Sequence, residues 1–140
     1  MRIIGLDLGS KTLGVAISDP SNIIATKLTT ITFANNDFPY AIKELFAILE
    51  SEEIDKFVLG LPKNMDGSLG FQAQSSISFK TMLEETFKKD VVLWDERLTS
   101  KMAESVMIQA NLSRKKRKTK VDFVAATIIL QSYLDSRKRV

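Results

Sequence analysis

Short apolar runs separated by turn residues lead the chain, helical spacing follows, and the change of pattern divides it. From Arg2 to Leu8 a short apolar run bounded by glycines reads as a buried central strand. Gly14 to Ser18 reads as a second strand, Asp19-Pro20-Ser21-Asn22 as a turn, and Ile23 to Phe33, rich in Thr and Ile, as a third strand. Short turns between the three imply an antiparallel meander. The period then changes. Tyr40, Ala41, Leu45, Ile48 and Leu49 keep helical spacing, with Asp37 as the cap. Lys56 to Gly60 is a strand, and Leu61 to Gly70 a loop with Pro62 and an Asp66-Gly67 turn. Gln72 to Lys88 is a helix, and Val91 to Trp94 a short strand ending at Asp95-Glu96. Thr99 to Ala110 is a further helix, Ser113 to Thr119 a basic loop, and Lys120 to Arg137 the last helix. Three meander strands followed by strand–helix units predict an α/β fold: a mixed five-stranded sheet, three strands antiparallel and two parallel, with helices on both faces. No repeat or linker interrupts residues 1–140, which are expected to form a single domain.

Composition narrows the chemistry. The 140 residues contain no cysteine and no histidine. A disulfide framework, a thiolate nucleophile and the commonest general base and zinc ligand are therefore excluded. An enzyme built from this chain must work with carboxylates, lysine, tyrosine, hydroxyls or a cation held by oxygen, and Mg²⁺ is a cation that selects oxygen. No apolar run approaches the roughly 20 residues that span a bilayer, and an acid at position 7 comes too early for a signal peptide, so a cytoplasmic protein without a membrane partner is expected.

The net charge of +3 is unevenly spread. Residues 1–100 carry 10 Lys/Arg and 14 Asp/Glu, a balance of −4, whereas residues 101–140 carry 10 and 3, a balance of +7. A basic end on a mildly acidic body suggests a polyanionic partner. The run Arg114-Lys115-Lys116-Arg117-Lys118, with Lys120, can follow a phosphate backbone, although as a solvated segment it would need no partner. Few aromatic residues are interleaved with it, so base stacking is not indicated.

Three acids stand in unusual places. Asp7 lies inside Ile3-Ile4-Gly5-Leu6-Asp7-Leu8-Gly9, where a charge is costly unless paired or metal-bound. A strand-end aspartate satisfied by the amides after Gly9 is the structural alternative. Glu96 closes the last short strand, at the carboxyl end where α/β sheets tend to form active sites. An exposed acidic turn salt-bridged to Arg97 is the better explanation of that motif taken alone. Asp122 opens the last helix beside the stripe formed by Ala125, Ala126, Ile129 and Tyr133. The helix dipole alone favours an acid there, by about 0.3–1 kcal/mol. In a sheet that makes neighbours of them, a central strand, a later strand's end and a helix start can surround one metal site. A pair of metal ions can activate water and stabilise the leaving oxygen of a phosphodiester without histidine.

Four segments in order carry a resemblance. They are Gly5 to Ala16, with Asp7-Leu8-Gly9-Ser10-Lys11-Thr12 at its heart; Val58-Leu59-Gly60-Leu61-Pro62-Lys63-Asn64-Met65-Asp66-Gly67; Asp95-Glu96-Arg97-Leu98-Thr99-Ser100; and Lys120-Val121-Asp122. Over nearly the whole chain the sequence resembles the YqgF, or RuvX-like, family, which has a ribonuclease H-like fold. The resemblance implies a nuclease dependent on Mg²⁺ or Mn²⁺, with Asp7, Glu96 and Asp122 as catalytic and metal-binding triad. Members are described as candidate nucleases that process the 5′ end of pre-16S ribosomal RNA, and in an older description as Holliday-junction resolvases. Structured RNA, with branched DNA as the alternative, and ribosomal precursor particles are the partners implied. Lys63 departs from the family pattern, where a leucine is expected, and adds a cation to the loop.

Lys63 and Asn64 are substrate-contact candidates, as are Lys11 and Arg97, each beside an acid of the triad. Trp94 and Phe57 read as core rather than as stacking platforms. A non-catalytic RNA-binding assembly factor accounts equally well for the basic run. The pattern Asp7-x-Gly9-x-x-x-x-Gly14 also opens the phosphate loops of actin- and hexokinase-like ATPases, but those enclose nucleotide between two such domains, and this chain has one such loop. A resolvase cutting two strands needs a homodimer, whereas an RNA processor can act as a monomer.

Overall fold

The computed structural model describes residues 1–62, 66–96 and 114–137, with side chains in the last stretch from Ala125 onward. Five strands form one mixed sheet: β1 (Arg2–Leu8), β2 (Thr12–Ser18), β3 (Ala25–Thr32), β4 (Ile54–Leu61) and β5 (Asp90–Asp95). Their order across the sheet is β3-β2-β1-β4-β5. β1–β2 and β2–β3 pair antiparallel, while β4 pairs parallel with β1 and β5 parallel with β4. This is the sheet the polarity pattern predicts.

Alternation along β1 sorts its side chains between two cores. Ile4, Leu6 and Leu8 join the larger cluster with Leu45, Phe57, Phe79 and Leu83. That cluster lies under helices α1 (Phe38–Ile48) and α2 (Phe71–Phe87). Ile3 turns to the opposite face and meets Val58, Ala126, Ile129, Leu130 and Leu134, where helix α3 (Arg114–Arg137) covers β1 to β4. Phe57 is fully buried and Trp94 packs half-buried against the α3 side, in agreement with their reading as core.

Local chemistry sets the element ends. Asp37 caps α1 by accepting from the Tyr40 amide at 3.3 Å. The third strand begins at Ala25 rather than Ile23 because the Ile23 and Ile24 amides donate to Asp19 Oδ1, at 2.7 and 2.9 Å. These bonds, the Ile24 amide foremost, hold the Asp19 carboxyl below its usual range. Arg114 to Thr119 is the larger correction: the expected basic loop is the first part of α3. Lys and Arg are good helix formers, no Gly or Pro interrupts the run, and the apolar half beyond it anchors the helix on the sheet. The helix expected over Thr99 to Ala110 lies outside the described residues. No helix among the described residues is long and apolar enough to cross a membrane.

Candidate active site

Parallel strands β1, β4 and β5 bring their carboxyl ends to one end of the sheet, and the acids gather there. β4 is in register with β1 up to Leu6–Leu59, so Asp7 and Gly60 follow as neighbours one residue further on. Leu61 pairs with Asp95, and Glu96 comes directly after. A side chain on Gly60 would point into the Glu96 carboxyl: a methyl there would stand 2.6 Å from Oε1 and 2.9 Å from Cδ. Glu96 therefore folds back over Gly60 towards Asp7. Both are half-buried.

The two carboxyls share a hydrogen bond. Burial first, then that bond and the negative charges of Asp7 and Asp95, push the Glu96 carboxyl up to about 9. With no cation between them, the pair keeps one proton to well above the ordinary carboxyl range. Two acids held this closely need either a shared proton or a positive ion between them.

Helix α3 closes the site from above. Ala126 and Leu130 lie so near β1 that a methyl on Gly5 would stand 2.9 Å from the Ala126 carbonyl oxygen and 2.6 Å from Leu130 Cβ. Ile129 Cδ1 would be 2.7 Å from a methyl on Gly60. Glycine at these two positions permits the close approach. Further along, Trp94 Nε1 donates to Ser132 Oγ at 3.1 Å. Gln131 takes the Ala25 amide and gives to the Ile23 carbonyl, both at 2.9 Å. These bonds fix the position of α3 along the sheet, and Asp122 belongs to the turn before Ala126.

The structure thus unites Asp7 and Glu96 and puts the backbone of Asp122 on the helix that covers them; the Asp122 side chain lies outside the described residues. Among the described residues no cluster of three acids or other metal-ligating side chains is present. Lys11 is exposed on the β1–β2 turn, which the Gly9 amide closes on the Thr12 carbonyl at 2.7 Å. Arg114, Lys115, Lys116, Lys118 and Lys120 occupy the first two turns of α3, and their side chains are likewise outside what is described. Lys63, Asn64 and Arg97 lie outside the described residues altogether. Sequence reasoning placed Ile129 only on the apolar stripe of the last helix and gave Gly60 no role of its own. A glycine within the strand pattern Val58-Leu59-Gly60-Leu61 was the available signal of close approach.

A ribonuclease H-like sheet, with a carboxylate pair at the ends of its first and last strands, defines the class. Its architecture is similar to that of Thermus thermophilus RuvC solved with a Holliday junction substrate, with TM-score 0.62 at 12% identity over 99% of this chain and 96% of that one. The chain belongs to the RuvX family, described as Holliday junction resolvase, whose model matches residues 1–136. A relative from Geobacillus sp. (strain WCH70) is 48% identical over 99% of this chain and 100% of its own length. One from Bacillus subtilis (strain 168) is 48% identical over 97% and 99%. Both are named as candidate pre-16S rRNA nucleases.

Proposed function

We propose that this protein is a cytoplasmic, metal-dependent nuclease that hydrolyses phosphodiester bonds in structured RNA, acting in 5′-end processing of pre-16S ribosomal RNA as one ribonuclease H-like domain. The observation that carries the reading is the Asp7–Glu96 pair at the carboxyl end of β1 and β5. The proposed ligands are Asp7, Glu96 and Asp122, an all-oxygen set suited to Mg²⁺ or Mn²⁺. Bound there, such an ion would supply Lewis-acid stabilisation of the charge that develops on the phosphate.

The chain's own groups take the remaining tasks. Asp7 is fixed by strand pairing, and Glu96 by its seat over Gly60 and its bond to Asp7. Lys11 and the cations of the first α3 turns bind phosphates and set the position of the strand to be cut. Lys63, Asn64 and Arg97 are assigned to the same substrate contact on sequence grounds. The relatives' names support RNA as substrate, and precursor ribosomal particles as its context. The family description and the RuvC-like fold favour a second reading, cleavage of a four-way DNA junction.

Cleavage of a pre-16S rRNA fragment and of a four-way junction, by wild type and by Asp7→Asn with Mg²⁺, separates the readings. RNA cleavage abolished in the variant is expected. Equal rates in the two proteins would remove Asp7 from the active site. Cleavage of the junction alone would replace RNA with DNA, and binding without cleavage would leave a non-catalytic assembly factor.

A further inference from the structure

The opposite end of the sheet has a different chemistry. Where β1, β4 and β5 begin, a cleft of about 480 Å³ opens beside α1. Its walls are apolar: Met1, Phe46, Leu49 and Phe87. Phe46 is 49% exposed although it belongs to a core helix. Its ring meets Phe87 at 5.4 Å between centroids, and Phe87 in turn meets the buried Phe57 at 4.8 Å. The aromatic wall is therefore continuous with the core and held in shape by it. Three glutamates, Glu50, Glu52 and Glu53, also line the cleft, against one cationic side chain, Lys89. None of these four is ion-paired among the described residues.

From Arg2, where β1 begins beside this cleft, the strand runs about 17 Å before it reaches Asp7. A phosphate backbone drawn to the basic start of α3 is repelled by the glutamates here, so the two ends suit different partners. We propose that the cleft is a docking site for a protein segment that inserts an apolar side chain against Phe46 and Phe87 and places Lys or Arg beside Glu50, Glu52 and Glu53. The charge of the rim selects the partner: an acidic or neutral segment gains only the apolar contact, whereas a basic one also complements three carboxylates. A protein serving RNA meets such basic segments on its RNA-bound neighbours. That part of the inference rests on the nuclease reading, while the docking site itself does not.

The test uses the full-length protein and three labelled 12-residue peptides in fluorescence anisotropy. One alternates Lys and Leu, one alternates Glu and Leu, and one alternates Lys and Ser. The Lys–Leu peptide is expected to bind wild type at least about tenfold more tightly than either of the others. Phe46→Ala and the double change Glu50→Gln/Glu53→Gln should each weaken it by about tenfold. Nuclease activity should stay unchanged in both variants, so failure of docking and failure of the nuclease reading are distinguishable. Affinity unaffected by either change, or equal for the three peptides, would overturn the proposal. So would a wild-type dimer in sedimentation equilibrium that Phe46→Ala dissociates, because the cleft would then be an interface between copies of this chain.

Discussion

Gly60 and Glu96 stand in a steric relationship that no other residue at position 60 can keep. The absent Cβ leaves the space in which the Glu96 carboxyl lies, since a methyl would come to 2.6 Å from its Oε1. The atoms in the way, Glu96 Oε1 and Ile129 Cδ1, are the far ends of side chains that can swing aside. Gly60→Ala should therefore fold, with stability lowered by about 1 kcal/mol or somewhat more, and displace Glu96 from Asp7. A nuclease assay set beside a urea melt reads the difference: cleavage falls by an order of magnitude or more while the midpoint moves little. Full activity in the variant would show that the seat of Glu96 is not part of the machinery.

Gly5→Ala should behave in the opposite way. Its methyl would meet the Ala126 carbonyl and Leu130 Cβ, which belong to the body of α3 and cannot swing aside. The helix must lift, at a cost of about 1–3 kcal/mol. Denaturant unfolding checks this, and the destabilisation at Gly5 should exceed that at Gly60.

The Asp7–Glu96 pair should make stability depend on pH in the absence of divalent metal. Glu96 rises from 4.5 to about 9 on folding, so between those values the native state holds a proton that the unfolded state has released. Stability is thus full below pH 4.5 and declines as pH rises through about 9. Glu96→Gln should flatten the decline in urea titrations with chelator present. Asp7→Asn should shift it to lower pH without abolishing it, because burial, the largest cause, remains.

Cation binding should release that proton. Because the pair keeps a proton at neutral pH, uptake of Mg²⁺ should expel about one proton to the buffer, and affinity should rise with pH. Calorimetry in buffers of different ionisation enthalpy measures the release, and Glu96→Gln should remove it. Binding that releases no proton would place the metal elsewhere.

Lys→Ala changes at positions 115, 116, 118 and 120 should weaken RNA binding similarly for unrelated sequences. For each phosphate that is no longer neutralised, the slope of log affinity against log salt should become shallower by about 0.7–0.9. Filter binding at several salt concentrations reads the slope.

Much of this was legible in the sequence, because it depends on neighbours along the chain. The apolar run from Arg2 to Leu8, the helical spacing from Tyr40 to Leu49 and the Asp37 cap are local rules, and the structure follows them. Asp7 drew attention for the same reason, as a charge in an apolar strand. Local rules failed at Ile23 and Ile24, where one aspartate captured two amides from the strand, and at Arg114 to Thr119, where a charged run continued a helix anchored further on. Tertiary structure decided what lies 89 residues apart in the chain: that Glu96 reaches Asp7, and that burial beside it raises the Glu96 carboxyl. Parallel register places the ends of β1, β4 and β5 side by side, and glycines at positions 5 and 60 let α3 and Glu96 close over them. A carboxyl pKa depends on solvent and on charges across space, so the order of residues along the chain yields the acids but not which of them is ionised.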